Sequence, residues 1–356
     1  MPEAYEAIRE PLGRLTEAQV IGHLVRHPGD VWAYNAEDFA DAKRRRDFET
    51  IRDCYEAGLT LGQDLPPFNL YDWTEAIKAD PDGIKTGFGE LDAGGVKFLP
   101  GSVNYIAGHS GHGKTDFLIN LALNIAKAEA PVLFISLEIR DLDLHTRFIR
   151  TCQGREGRDF DGVRAYIKHG GGSGEVDAAA QRYADISARK LRAVSPEQAA
   201  GGSEIKVYIS TAADVYGEPP VVLIDYIQLL KTTGERSYYT LAETSHTILA
   251  AAKDVGAIVI AGAQARRPTA VGAIEKPPAL WDLRESGDLG QDAAVVLGLY
   301  SPSAEGNGAS AEREKYREQV DVRVLKNRYG PAGAIAELWY YKKTGFICGQ
   351  ATGESF

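Results

Sequence analysis

Cysteine is scarce in this 356-residue sequence: Cys54, Cys152 and Cys348 lie far apart, and no two form a CxxC pair. That excludes a zinc ribbon or a disulfide framework and fits a reducing cytoplasm. No run approaches the roughly 18–20 consecutive apolar residues needed to cross a bilayer. The N-terminal MPEAYEAIREPLGRL is polar and lacks the apolar core of a signal peptide, so no membrane association is expected. An excess of positive charge is missing too, since 40 Lys and Arg against 50 Asp and Glu give a net charge of −10. This sum leaves nucleic acid open as a partner, because phosphates are met by local basic patches within about one Debye length, ~10 Å. No internal repeat is present. Apolar residues are plentiful, and 44% hydrophobic content is ample for one large or two modest domains.

The first part of the chain reads as helical. Thr16 and Gln19 have capping-box spacing ahead of Val20, Ile21, Leu24 and Val25, and a second helix is expected over 46–57, with Phe48, Ile51 and Tyr55 at helical spacing and Gly58 closing it. A breaker-rich stretch, QDLPPFNLYDW, and the turn DPDG at 80–83 then mark a boundary. The expected organisation is a small helical region over 1–65, a linker over 66–83 and one large domain over 84–356. In that domain short β-branched runs alternate with helical segments. Strands are expected at 103–107, 132–136, 206–210, 221–225, 257–261 and 295–300, with a hairpin from 320–325 to 335–341 across the Gly-Pro turn at 330–331. Loops are expected near 169–174 and 200–203. This pattern is an α/β fold, a mostly parallel sheet with an antiparallel C-terminal edge.

The strongest chemical signal is Gly108-His-Ser110-Gly111-His-Gly113-Lys114-Thr115, a complete GxxxxGK[ST] between the strand VNYIA and the periodic DFLINLALNIAKA. Backbone N–H groups and the helix N-terminus suit the phosphates of ATP, Lys114 can reach the β- and γ-phosphates, and the Thr115 hydroxyl can hold Mg²⁺. His109 and His112 read as loop fillers. VVLID ends in Asp225, four apolar residues before an acid, a pattern that places a carboxylate in the Mg²⁺ shell. Glu138, just past VLFIS, stands where a carboxylate could activate water, although by spacing alone it reads equally as a solvated surface glutamate.

The ordered set of motifs resembles the DnaB-type replicative helicases, which share a RecA-like P-loop ATPase core. IKTGFGELD (84–92) is similar to the family's entry into its C-terminal domain, ISLEI (135–139) to its SLEM segment, and IDYIQLL (224–230) to IDYLQLM. Ala263-Gln264 matches its SQ motif, LRESGDLGQDAAVV (283–296) its LRESGSIEQDADVV signature, and LKNRYGPAG (325–333) its KQRNGPTG segment. The resemblance implies that Glu138 is catalytic and that Gln264 senses the γ-phosphate. It makes Arg284, Glu285 and Gly287 a DNA-holding loop, and Lys326 and Arg328 a finger pair that completes a neighbouring subunit's site. Alone, those two basic residues would read as solvated strand-end charges. The resemblance further implies a Mg²⁺-ATP-dependent homo-hexamer in a bacterial cytoplasm, encoded by the cell, a phage or a plasmid, that moves 5′ to 3′ on single-stranded DNA and unwinds duplex. A helicase loader and a primase are further partners the family suggests. The likeness covers 84–346. It is weaker over 12–62, a region roughly half the family's usual length, so the N-terminal collar and primase contact are not carried over with it. The alternatives are a RecA- or RadA-like strand-exchange filament and a regulatory ring ATPase of the circadian-clock type.

Overall fold

The computed structural model describes residues 82–170, 174–195, 201–230, 237–265, 276–286, 289–301 and 317–350, together with ten positions between 24 and 53. The chain divides into two compact units, Met1–Asp80 and Pro81–Phe356. Within the first, Leu24, Phe39 and Phe48 are buried and the two phenylalanine rings stack at 5.0 Å. Leu24, in the first expected helix, and Phe48, Glu49, Arg52 and Asp53, in the second, are helical; Thr16, Gln19 and the remaining positions of those two helices lie outside the described residues.

The second unit carries a nine-stranded sheet. Its strands are β3 (Ser102–Gly108), β4 (Val132–Ser136), β5 (Leu191–Val194), β6 (Val221–Asp225), β7 (Ile258–Gln264), β8 (Val295–Tyr300), β9 (Glu318–Asn327), β10 (Ile335–Tyr341) and β11 (Phe346–Gly349). A separate antiparallel pair, β1 (Ile84–Lys85) and β2 (Lys97–Phe98), precedes them. The order across the sheet is β11-β10-β9-β8-β3-β7-β6-β4-β5, parallel from β8 to β5 and antiparallel from β8 to β11. This is the architecture read from the sequence.

The strands β3, β4 and β6 are buried along their whole length. Continuous apolar runs of this kind belong to a sheet covered on both faces. On one face lie α2 (Lys114–Lys127), α3 (Asp141–Thr151) and α5 (Glu175–Arg189), packing Phe117, Leu121, Phe148 and Tyr183 against the sheet; α1 (Gly89–Ala93) and α4 (Phe160–His169) complete the helices up to that point. On the other lie α6 (Gly202–Tyr216) and α7 (Ser237–Val255), with Ile205, Ile209, Ile248 and Ala252 inward.

Three expectations differ from the structure. Residues 206–210 are not a strand but the middle of α6. Ile205, Ile209 and Ala212 are buried at helical spacing while Val207 is exposed, and Glu204 accepts the Gly201 N–H at 2.9 Å as half of a capping box. The 200–203 loop shrinks accordingly, because Gly202 and Ser203 already belong to that helix. β5 and β11 carry no apolar run long enough to read as strands. Of the loop expected at 169–174, residues 171–173 lie outside the described residues.

Candidate functional site

The parallel strands deliver the candidate residues to one edge of the sheet. Gly108, the last residue of β3, pairs with Gln264, the last of β7, and Ser136 of β4 pairs with Asp225 of β6. Ligands bind in α/β sheets beyond such carboxyl ends. There a cleft of about 330 Å³ is lined by Ser110, Gly111, Gly113, Lys114, Thr115, Glu138, Asp225 and Gln264, together with Asp116, Ile139, Arg147, Tyr226 and Tyr340.

The loop between β3 and α2 takes its shape from two glycines with positive φ, Gly111 at 88° and Gly113 at 83°. A Cβ at Gly113 would also meet the Tyr340 ring at 3.2 Å, so this position needs glycine on both counts. The Lys114 ammonium donates to Gly108 O and His109 O, each at 2.9 Å, which holds it over the loop. The two loop histidines are buried and stitch the loop to the body. His112 Nδ1 accepts the Ser301 N–H at 3.0 Å while its ring stacks on Tyr300, and His109 Nε2 pairs with Lys276 O at 3.2 Å.

Asp225 is buried beneath this loop, and neither of its oxygens has a hydrogen-bond partner of ordinary length. Burial pushes its carboxyl pKa up to about 6; Glu138 adds to the rise, and the Thr115 hydroxyl, Lys114 and Arg147 oppose it. A buried carboxylate with unmet lone pairs beside a threonine hydroxyl is the donor chemistry that suits Mg²⁺, which takes oxygen ligands and keeps room for substrate phosphates. The residues therefore fit the ion. Among the described residues no cluster of three His, Cys, Asp or Glu could hold a metal by itself, so the phosphates would have to share in the coordination.

Glu138 is exposed and carried on a pinned turn. Leu137 N donates to Asp225 O at 2.8 Å, Ile139 N to Ser136 Oγ at 3.0 Å, and the Ser195 hydroxyl to Ile139 O. Gln264 is pinned through its backbone, its N–H donating to Gln228 Oε1 at 3.1 Å and its carbonyl accepting Gln228 Nε2 at 3.2 Å. Gln228 was not singled out in the sequence, although it lies within IDYIQLL.

Lys326 and Arg328 do not join this cleft. β9 runs antiparallel to β8, so Lys326 pairs with Val296, three residues before the Leu299 that pairs with Gly108, and Arg328 N reaches Ala294 O lower still. Lys326 Nζ donates to Gly290 O at 2.8 Å and Gln291 O at 3.0 Å, and Arg328 donates to Gln291 O at 3.1 Å, both on α8 (Leu289–Asp292). Burial and then Arg328 push the Lys326 ammonium's pKa down. Arg284 and Glu285 lie on a 3₁₀ turn, Leu280–Ser286, anchored by the buried Leu283; Gly287 lies outside the described residues.

Five residues of the cleft were not singled out in the sequence: Asp116, Ile139, Arg147, Tyr226 and Tyr340. Asp116 Oδ1 accepts from Arg150 at 2.5 Å and Oδ2 from the Tyr340 hydroxyl at 2.6 Å, so strand β10 is tied to the helix behind the loop.

Comparison with known proteins bears on this geometry. The family model described as the DnaB-like helicase C-terminal domain matches residues 83–347. The chain is 30% identical over 270 residues to the replicative DNA helicase DnaB of Pasteurella multocida, covering 71% of this chain and 52% of that one. It is 26% identical over 326 residues to DnaB of Rickettsia typhi, covering 80% and 60%. The chain thus spans about half the length of the curated relatives it matches. Among solved structures, one described as an ATPase domain has the same fold, with a TM-score of 0.67 at 24% identity, covering 83% of this chain and 98% of that one. A DnaB-like replicative helicase, described with its interactions with primase, gives 0.68 at 20% identity, covering 97% and 87%.

Proposed function

The chain belongs to the family of DnaB-like helicase C-terminal domains, and on that premise we propose that it is a Mg²⁺-ATP-dependent ring motor, a homo-hexamer that moves on single-stranded DNA and separates duplex during replication. The observation that carries this reading is the convergence of Lys114, Thr115, Asp225, Glu138 and Gln264 on one sheet edge, while Lys326 and Arg328 lie outside that cleft, displaced toward the amino ends of the parallel strands. A cleft with a phosphate loop, a metal-suited carboxylate and a water-activating carboxylate, yet with its finger pair turned away, fits a site completed by a neighbour.

In this reading the loop N–H groups and Lys114 hold the ATP phosphates, and Thr115 and Asp225 hold the Mg²⁺, which when bound neutralises phosphate charge. Glu138 orients the attacking water and takes its proton. Arg328 and Lys326 of the next subunit meet the charge that develops on the γ-phosphate. Gln264, at the end of β7, passes the state of the γ-phosphate to the segment that begins after Ala265 and to the 284–287 loop on the DNA. A primase and a loader are the partners such a motor would meet; the solved relative described with primase motivates the first.

The DNA assignment is tested at Arg284. Arg284→Ala is expected to weaken single-stranded DNA binding and to reduce the slope of log affinity against log salt by about 0.7, the share of one phosphate contact. DNA-stimulated hydrolysis should fall with it while DNA-independent hydrolysis persists. Unchanged affinity with an unchanged slope would remove the 284–287 segment from the DNA path.

A further inference from the structure

We propose that Arg147 is a phosphate-binding residue of this chain's own site, a guanidinium fixed in the cleft wall that takes the terminal phosphate of a bound nucleoside triphosphate. The inference rests on the nucleotide-site reading above and names a residue that reading does not use.

Arg147 lies on α3, two turns beyond the turn that carries Glu138, and its side chain is one-third exposed at the cleft. Among the described residues its carboxylate neighbour is Asp116, whose Oδ1 stands 3.6 Å from Nη1, beyond hydrogen-bond length. Asp116 is already satisfied without it. Arg150, one turn further along α3, holds Oδ1 at 2.5 Å, and the Tyr340 hydroxyl holds Oδ2 at 2.6 Å. One carboxylate thus faces two guanidinium groups, and the inner one, Arg150, takes it. The outer one keeps a buried Nε with no acceptor, while the Phe160 ring lies 5.9 Å from its Cζ. A partly buried cation in place, donors unspent and ring-supported, is preorganised for an anion that supplies several acceptors at once.

The neighbouring groups identify which anion. Arg147 borders the cleft with Thr115, Glu138 and Asp225. Those are the residues around the reacting, terminal phosphate, whereas Gly111 and Gly113 lie along the loop that holds the inner phosphates. Arg147 should therefore separate triphosphate from diphosphate. A residue serving only as a second partner for Asp116 would affect stability and treat both nucleotides alike.

The test is displacement of a fluorescent nucleotide from the full chain by ATP and by ADP, with Mg²⁺ present. Arg147→Ala is expected to weaken ATP binding about 10- to 100-fold, as for loss of a charged hydrogen bond, and ADP binding less than about threefold. Arg147→Gln keeps the stem against Phe160 but not the charge, and should show the same ATP-selective loss; Arg147→Lys should recover part of it. Equal losses for the two nucleotides, or none in either uncharged variant, would overturn the proposal. Lys114→Ala, run in parallel, separates the two readings. If it abolishes binding of both nucleotides while Arg147→Gln matches wild type, only the Arg147 assignment falls. If the wild-type chain binds neither nucleotide, both assignments fall.

Discussion

Arg328→Ala is expected to lower the steady-state rate of ATP hydrolysis by about 10³- to 10⁵-fold, the range found for loss of an arginine finger, while leaving the fold intact. The side chain is exposed and, among the described residues, donates to Gln291 O at 3.1 Å, so its removal should shift stability by no more than about 0.5 kcal/mol. Glu138→Gln should be similarly inactive for a different reason, since it removes the group proposed to take the water's proton. In the proposed ring the two defects would lie on opposite sides of a subunit boundary, which would make them separable. In a mixed ring, a site whose phosphate loop comes from the Arg328→Ala chain and whose finger comes from the Glu138→Gln chain has every component. Titrating one inactive protein into the other should therefore restore part of the activity, with subunit exchange checked separately. Verified mixed rings that stay as inactive as their parents would mean that Arg328 is not the trans group, or that firing is strictly coordinated. Mixing wild type with either mutant decides between these, because strict coordination gives a steeper than proportional loss.

Asp225→Asn should produce opposite changes in activity and stability. Hydrolysis should fall to background, because the buried carboxylate suited to Mg²⁺ is gone. The nucleotide-free protein should become more stable at pH 7.5 by about 1–3 kcal/mol, because a carboxylate held at a pKa of about 6 by burial is ionised at a cost that a neutral amide avoids. The sign follows from the shift. The folded pKa lies above the unfolded value of about 3.9, so the folded state keeps the proton to higher pH and loses stability as pH rises through this window. The gain from Asp225→Asn should shrink as pH falls from 6 toward 4, where the carboxyl is protonated in the folded state and increasingly so in the unfolded one. Denaturant melts at pH 7.5 and pH 4.5 check this; an equal gain at both would mean that Asp225 is not held protonated by burial.

The parallel part of the sheet was legible because its strands are buried on both faces, so 103–107, 132–136, 221–225, 257–261 and 295–300 stand out as predominantly apolar runs, interrupted by Asn104 and closed by Ser136 and Asp225 in the first three. KVYIS at 206–210 has the same composition but belongs to α6, and only the pairing of Ile205 with Ile209 one turn apart would have revealed it. β5 escaped because LRAV is four residues with a charge in the middle, and its strand character comes from pairing with β4. Within the cleft, residues attached to strand ends were readable, since a motif and a strand end together fix position. Arg147 and Tyr340 were not, because their roles arise from contacts across long separations: the Tyr340 hydroxyl meets Asp116 from 224 residues away. The β10 pattern, with Ala336, Leu338 and Tyr340 turned inward, shows that Tyr340 is buried but gives no sign of what its hydroxyl touches. The histidines of the phosphate loop read as fillers; their anchoring contacts to Ser301 and Lys276 again come from distant segments.

The central claim, a motor that converts ATP hydrolysis at this cleft into strand separation, is tested most directly on a forked DNA duplex labelled on one strand. Wild-type protein with Mg²⁺ and ATP should release the labelled strand, with a 5′ single-stranded tail required for loading, and should release none with a non-hydrolysable analogue. Lys114→Ala, without the cation proposed to face the β- and γ-phosphates, should fold and release none under any condition. Robust ATP hydrolysis by wild type with no strand release from any fork, or release that survives Lys114→Ala, would contradict the account.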